Sequence, residues 1–487
     1  MEEFDLLVVG GGINGTGIAR DAAGRGLSVL LVEKDDLAAH TSSASSKLIH
    51  GGLRYLEQLE FRLVRESLAE RERLRRAAPH IVRPLEFIMP AGRAGRPAWM
   101  LRAGLFLYDH LAQRPTLPRS RAVRLRDESL RTAKGLSYWD CRVDDSRLVI
   151  LNAIDARERG ATILTRTELV ETRREGEHWL VRLRSAGGER SVRARVLVNA
   201  AGPWASEMFG RIAGVRPRQM LRLVKGSHIV VPRLYPGEHA FLLQNPDGRV
   251  VFAIPFEGRF TLIGTTDVEC HGPLDAPTIS DEEVRYLLGA AARYFTAPVS
   301  ESDVLWSYSG IRALCDDGAA NPSDVSRDYV VELDSSGPPL LSVFGGKITT
   351  YRSLSERALL KLAPFFPAMR PPWTETAVLP GGDIPELDVE RFAAALAARY
   401  PALPAALVQR LSASYGTRAE RLLDGVCALS DLGEDFGGGL YSREVDHLVA
   451  EEWARTADDV LFRRTKLGLH LPKEAADRLA RYMGSGR

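Results

Sequence analysis

The residues best suited to chemistry stand beside glycines. Arg54 and Tyr55 follow the pair Gly51-Gly52, Arg312 follows Gly310, and Lys347 follows Gly345-Gly346. A cation held where the backbone opens can receive an anion, and Tyr55 adds a hydroxyl donor beside Arg54. An ordinary surface ion pair is the competing reading for each of them. His228 ends Lys225-Gly226-Ser227-His228 and precedes the apolar run Ile229-Val230-Val231. Its imidazole titrates near neutral pH and can take a hydroxyl proton, or it is a buried structural histidine. His50 is a weaker candidate. Cys141, Cys270, Cys315 and Cys427 are far apart with no C-x-x-C pair, so neither a metal nor a redox disulfide is expected.

The frame for these groups begins locally. Residues 4–9 read as a buried strand running into Gly10-Gly11-Gly12-Ile13-Asn14-Gly15; a helix is expected to Ala23, and a second strand, 29–32, ends on Glu33. Gly10, Gly12 and Gly15 fit G-x-G-x-x-G: a tight turn, a close backbone approach to pyrophosphate, and close helix–strand packing. The helix N-terminus offers free N–H groups to phosphates, and Glu33 can accept hydrogen bonds from a ribose diol. The pattern predicts an ADP-containing dinucleotide without choosing NAD or FAD. The polar loop 41–47, Thr-Ser-Ser-Ala-Ser-Ser-Lys, is either a surface loop or a holder of cofactor phosphates or ring edge.

From Thr162 the pattern turns to β. Strands at 162–164, 168–172 and 179–183 and a turn at Gly187-Gly188 lead to a buried strand ending in Ala200-Ala201-Gly202. A three-stranded excursion returning to such a strand is what flavoproteins with two dinucleotide-binding domains insert between halves of the FAD domain, and its small residues allow close approach to the cofactor. A second β-rich region, 221–333, alternates apolar and polar residues between turns and reads as a mostly antiparallel substrate domain. Residues 340–352 repeat strand, glycine turn and helix. Beyond Pro371-Pro372 the chain turns to Ala, Leu, Arg and Glu at helical spacing, with helices expected at 389–400, 407–414, 419–423 and 444–462.

The expected fold is therefore α/β (α+β overall): a discontinuous FAD domain (1–78, 141–220 and 339–370), a helical and loop insertion (79–140), a β-rich substrate domain (221–338) and a C-terminal helical cap without chemistry of its own (375–487). Within the insertion, 98–111 is rich in large apolar residues and flanked by Arg93, Arg96, Arg114, Arg119, Arg121 and Arg124. It is either a buried helix or a monotopic membrane contact with arginines on lipid phosphates. A net charge of +2 from 65 basic and 63 acidic residues leaves no nucleic-acid footprint. No apolar run nears the roughly 18 residues of a spanning helix, and the strand beginning near Phe4 leaves no room for a leader, so a cytoplasmic start is expected.

The ordered set of motifs resembles the FAD-dependent, respiratory-type glycerol-3-phosphate dehydrogenases of the wider D-amino-acid-oxidase group. It comprises Gly10 to Gly15 with Glu33, the loop 42–47 with Gly51-Gly52-Leu53-Arg54-Tyr55-Leu56, residues 197–205, Lys225-Gly226-Ser227-His228, Gly264-Thr265-Thr266-Asp267, Ser309-Gly310-Ile311-Arg312, residues 345–352 and 459–466. No D-x-D-x-D-G calcium loop occurs, so the likeness is to the bacterial form. The resemblance implies non-covalent FAD held by Gly10, Gly12, Asn14, Gly15, Glu33, Ser42, Ser46, Lys47, Ala201, Gly202, Gly345, Lys347, Ile348 and Thr349. It implies oxidation of glycerol 3-phosphate to dihydroxyacetone phosphate, with the phosphate on Arg54, Tyr55, Arg312 and Lys347. His228 is the expected base, with Arg312 or Lys347 stabilising the alkoxide. Electrons would pass to membrane quinone, with the protein peripheral on the cytoplasmic face of the inner membrane and against an anionic lipid surface; a homodimer is one open assembly. Rival readings are an oxidase making hydrogen peroxide, an NAD-dependent dehydrogenase and a non-catalytic flavin-binding assembly protein.

Overall fold

A computed structural model describes residues 1–91, 96–125, 128–212, 214–215, 219–316, 318 and 325–484; Arg93 lies outside them. One sheet runs in the spatial order Tyr329–Asp334, Leu340–Gly345, Gly188–Asn199, Glu3–Val9, Val29–Val32, Thr162–Leu164. Its centre is parallel, with Leu7 opposite both Leu197 and Leu30, Val198 opposite Leu341 and Leu31 opposite Ile163. Such a sheet needs cover on both faces, which explains the unbroken apolar strands. Leu6, Val8, Val29, Leu31, Val196 and Val198 pack toward the helices Ile13–Gly24, Asp145–Glu158 and Tyr351–Leu362. Leu7, Val9, Leu30, Val32 and Leu197 pack on Trp179, Val181 and Leu183 of the expected meander, Glu168–Glu175 with His178–Ser185.

The second sheet is larger and antiparallel except where Ala240–Gln244 meets Val82–Pro90. It holds Leu221–Pro232, Phe260–Gly264, Val250–Phe256 and Trp306–Cys315, as the alternation suggests, and also Val82–Pro90 and Lys134–Val143. These last two correct the reading of 79–140 as helix and loop. Pro84 and Pro90 look like breaks, yet Pro84 pairs opposite Cys141 on one side, and on the other side the strand meets its neighbour only at Phe87 and Ile88. A proline is tolerated where one strand edge is free. Tyr329–Asp334 belongs to the first sheet, not to the expected substrate segment.

The helix Ala98–His110 forms as expected but is not a buried one: Leu105, Tyr108 and Asp109 face inward, while Trp99 is 72% and Phe106 66% exposed. The C-terminal domain has its own core around Leu411, Leu423, Phe436 and Val460. The helix expected at 444–462 stops at Glu451. Trp453 takes a positive φ of 59°, and a π-helical turn, Asp459–Arg464, follows.

Candidate functional site

The first glycine turn brings two chain segments into contact. Gly10 sits at φ +111°, and a Cβ there would lie 2.5 Å from the Ala200 carbonyl oxygen, so only glycine lets the strand end at Ala200-Ala201-Gly202 come alongside. A Cβ on Gly15 would lie 1.9 Å from the Gly10 carbonyl oxygen, the close helix–strand packing read from the motif. Gly12 begins the helix without a side-chain cap, and the next amide, Ile13, donates to Ser42 Oγ at 3.0 Å. Glu33 is buried and accepts from the amides of Gly11 (2.6 Å) and Asp35 (2.8 Å), which orient its carboxylate at the turn. Burial raises its pKa against the pull of those amides. Glu33, Asp35 and His40 bring ligand atoms within 4.8 Å of one another, but Asp35 is already paired with His40 at 2.7 Å and Glu33 with backbone.

The later glycine turn arrives from the far end of the chain. Gly346 has φ +100° and lies against Asn14, whose Nδ2 donates to the Gly345 carbonyl at 3.2 Å while its Oδ1 is buried without a partner. Thr349 Oγ1 accepts from the His50 amide at 3.3 Å. Between these turns is a cavity of about 990 Å³, lined by Gly10, Gly12, Asn14, Glu33, Ser42 and Ser46 on one side. Ala201, Gly202, Gly345, Lys347, Ile348 and Thr349 close the other. Lys47 is an exception. Its ammonium is buried on Asp145 (2.9 and 3.0 Å) and the Ser43 carbonyl (2.9 Å), so it anchors the loop from behind and does not line this cavity.

The same cavity ends in a cationic patch. Arg54 and Tyr55 lie on the turn Leu53–Leu56 and Arg312 on Trp306–Cys315. Asp267 Oδ1 accepts from Arg312 Nη1 at 2.6 Å and Arg327 Nη2 at 3.1 Å, and its Oδ2 is 4.0 Å from Arg54 Nη1. One carboxylate thus faces Arg54, Arg312 and Arg327, leaving local charge near +2. Arg327 Nη1 is buried with no partner. Gly226 permits this arrangement, because a Cβ there would come within 2.2 Å of the Arg312 guanidinium. Lys347 Nζ stands 4.7 Å over the Tyr55 ring, with Ser67 Oγ at 3.2 Å, and burial pushes its pKa down to about 7. Burial raises the Tyr55 phenol, which keeps its proton as a donor.

His228 is not in the cavity wall. It lies within Leu221–Pro232, 1% exposed, with its ring stacked on Tyr308 at 4.8 Å. Its Nε2 is 2.9 Å from Ser46 Oγ, and Ser46 lines the cavity. Burial first, then Arg312 and Lys47, hold its pKa well below the usual value, so it is neutral at working pH. His50 lines the cavity but is pushed down to about 3 by burial and Lys347. Sequence reading missed Arg327, which has no motif around it. Asp267 stands in the motif Gly264-Thr265-Thr266-Asp267, which by itself assigns it no role.

Two family profiles cover most of the chain. Residues 5–352 match the family described as FAD dependent oxidoreductase, and residues 372–485 match the C-terminal domain of alpha-glycerophosphate oxidase. The chain belongs to the FAD-dependent oxidoreductase family. As a family member, its cofactor is FAD, and the glycine turns, the Glu33 carboxylate and the unpartnered Asn14 Oδ1 fit a dinucleotide in this cavity. Among curated relatives, the glycerol-3-phosphate dehydrogenase of Pseudomonas aeruginosa is 55% identical over 99% of this chain and 96% of its own. The D-erythritol 1-phosphate dehydrogenase of Brucella abortus is 52% identical, covering 96% and 95%. The glycerol-3-phosphate dehydrogenase of Bacillus halodurans, solved with FAD, superposes with a TM-score of 0.77 at 26% identity, covering 99% of this chain and 94% of that one.

Proposed function

We propose that the protein oxidises glycerol 3-phosphate to dihydroxyacetone phosphate and passes the two electrons to membrane quinone. The observation that carries this is the anion site: Arg54, Arg312 and Arg327 around the single Asp267, with a buried Arg327 nitrogen lacking a partner. A phosphomonoester carries about −1.5 to −2 charges at neutral pH, which matches that excess. Each charge-assisted hydrogen bond contributes roughly 1.5–3 kcal/mol, so two or three discriminate against unphosphorylated glycerol by two orders of magnitude or more. Bound FAD supplies a hydride acceptor for the substrate carbon. The residues must then orient that carbon and remove the hydroxyl proton. Ser46 lines the cavity and its Oγ meets His228 Nε2, so the proton passes through the serine to the neutral imidazole. Lys347, over the Tyr55 ring, adds its charge to the anion site as well as to the forming alkoxide.

Anaerobic titration of the purified yellow protein tests this reading. Glycerol 3-phosphate bleaches the flavin and a quinone restores it; glycerol alone does nothing. Stoichiometric peroxide undiminished by quinone would make it an oxidase instead. Because a relative of similar identity is named for D-erythritol 1-phosphate, that ester is the second substrate to titrate. Bleaching by neither ester removes the reading.

Lys347 gives a pH dependence with a definite sign. Above pH 7 the substrate phosphate is already largely dianionic, while Lys347 loses its charge as pH rises through about 7. Binding must then recapture a proton, so KM rises between pH 7 and 9, and Lys347→Arg, which stays charged, flattens the rise. An equal slope in that variant would take Lys347 out of the anion site. The linkage to stability runs the other way. The unfolded lysine keeps its proton up to about 10.5, so this group's burial penalty is full below pH 7 and fades toward pH 10.5.

We place the protein peripherally on the cytoplasmic face of the membrane; the helix Ala98–His110 supports the membrane contact. Trp99 and Phe106 point outward, while Met100, Leu101 and Leu107 line the cavity mouth, where a lipid-soluble acceptor would arrive. No helix among the described residues is long and apolar enough to cross a membrane. Replacing Trp99 and Phe106 together by serine lowers partition to anionic vesicles about tenfold or more, each large side chain contributing roughly 1.5–3 kcal/mol when buried. Unchanged partition with intact FAD absorbance would remove this helix as the contact.

A further inference from the structure

The cavity wall at its ribose end is held from behind by the C-terminal domain. After Glu33 the chain turns through residues 34–40, and Lys34 and His40 face the cavity. Asp36 does not line the cavity and is buried. It accepts from Arg464 Nη1 (2.7 Å) and Nη2 (2.9 Å) and from Arg463 Nε (2.7 Å). Arg464 is itself fully buried and donates through Nε and Nη2 to the Glu452 carbonyl at 3.1 and 2.6 Å. The Glu452 carboxylate is paired with Arg147 on the helix Asp145–Glu158, which packs under the cofactor sheet. A second strut lies nearby. Lys466 bonds Asp144 and, at 2.9 Å, Ser146 Oγ, next to the Asp145 that holds Lys47 and Ser45.

We propose that the C-terminal domain is a cofactor-retention clamp: Arg463 and Arg464, docked on Asp36, hold the turn 33–40 in the form that closes on FAD. A buried carboxylate is stable only when paired. Arg463 and Arg464 make the hydrogen bonds to Asp36, while Arg166 Nη1 stands farther off at 3.8 Å, so undocking the two arginines weakens the hold on the turn. Glu33 is three residues away and is tied to the same support, since Thr167 N donates to the Glu33 carbonyl (2.7 Å) and Arg166 N to the Asp35 carbonyl (2.8 Å). The Arg166 side chain in turn reaches Asp459 of the C-terminal domain at 2.7 Å. Opening the clamp therefore moves the ribose acceptor, and by reciprocity FAD strengthens domain docking. The inference rests on FAD as cofactor and is independent of the substrate assignment.

The test uses full-length apoprotein reloaded with FAD, with affinity read from flavin fluorescence. Arg464→Ala and Asp36→Asn each raise the FAD dissociation constant on the order of tenfold, an ordinary size for coupling between two sites. KM for glycerol 3-phosphate at saturating FAD stays at the wild-type value. Arg418→Ala, which removes a contact to Glu158 at another part of the domain boundary, leaves FAD affinity unchanged. In hydrogen exchange, FAD slows the amides of Asp459–Arg464 in the wild type, and the slowing disappears in Asp36→Asn. Should Arg464→Ala fail to fold, the near-isosteric Asp36→Asn decides alone. FAD affinity within about twofold of wild type, against the tenfold coupling expected, or exchange in the C-terminal turn blind to FAD, overturns the clamp.

Discussion

Arg312→Ala lowers kcat/KM for glycerol 3-phosphate by about 10²–10³-fold, the loss of one or two charge-assisted hydrogen bonds of roughly 1.5–3 kcal/mol each. The absorbance of bound FAD per mole of protein stays near wild type, because the guanidinium bonds Asp267, the Thr266 carbonyl and Thr265 Oγ1 rather than the glycine turns. Arg327→Ala behaves similarly, since its unpartnered Nη1 is the donor left for an incoming oxygen. Arg327→Lys recovers only part of the loss: the charge returns without the planar fork. If the phosphate is held equally in ground and transition states, the loss lies in KM. A fall in kcat instead would mean that its grip tightens as the alkoxide forms. Unaltered steady-state kinetics in both alanine variants would place the phosphate elsewhere in the cavity.

The second large effect is on proton removal. His228→Ala slows anaerobic flavin reduction in stopped flow by about 10²–10⁴-fold, the usual weight of a positioned general base. Binding of dihydroxyacetone phosphate survives, because the imidazole does not line the cavity. Ser46→Ala slows reduction less, since water can occupy the relay position. The wild-type rate keeps its value down to well below pH 6.5, where an unperturbed imidazole would already be protonated. Reduction by His228→Ala at the wild-type rate would reassign the base.

What was legible in the sequence is what is local. Strand, glycine turn, helix and acid follow one another within Glu3–Val9, Ile13–Gly24 and Val29–Val32, so backbone sterics and period alone place Gly10 and Glu33. The apolar helix Ala98–His110 was visible for the same reason, while the choice between a buried and an outward apolar face stayed open, because facing depends on what packs against it. Val82–Pro90 was hidden by its prolines: a strand free on one edge tolerates them, and that freedom is a tertiary fact. Arg327 was hidden differently. It precedes Tyr329–Asp334, and pairing of that strand with Leu340–Gly345 brings the residue to the cavity. His228 stood out in the sequence as an imidazole beside an apolar run, but its contact with Ser46 joins positions 182 residues apart. Arg463 and Arg464 stood within the motif 459–466, but their partner Asp36 lies more than 400 residues earlier and was not legible.

The order of strands in the cofactor sheet also sets when the protein can mature. Glu3–Val9 finds Val29–Val32 early, but its other edge must wait for Gly188–Asn199, and that strand in turn waits for Leu340–Gly345. At ribosomal speeds of about 5–20 residues per second, the edge of Leu6 to Val9 stays unpaired for on the order of ten to forty seconds on the nascent chain. An apolar edge open that long is a natural client for a chaperone. The clamp residues Arg463 and Arg464 emerge later still, so nascent chains that end before them should hold FAD more weakly than the finished protein.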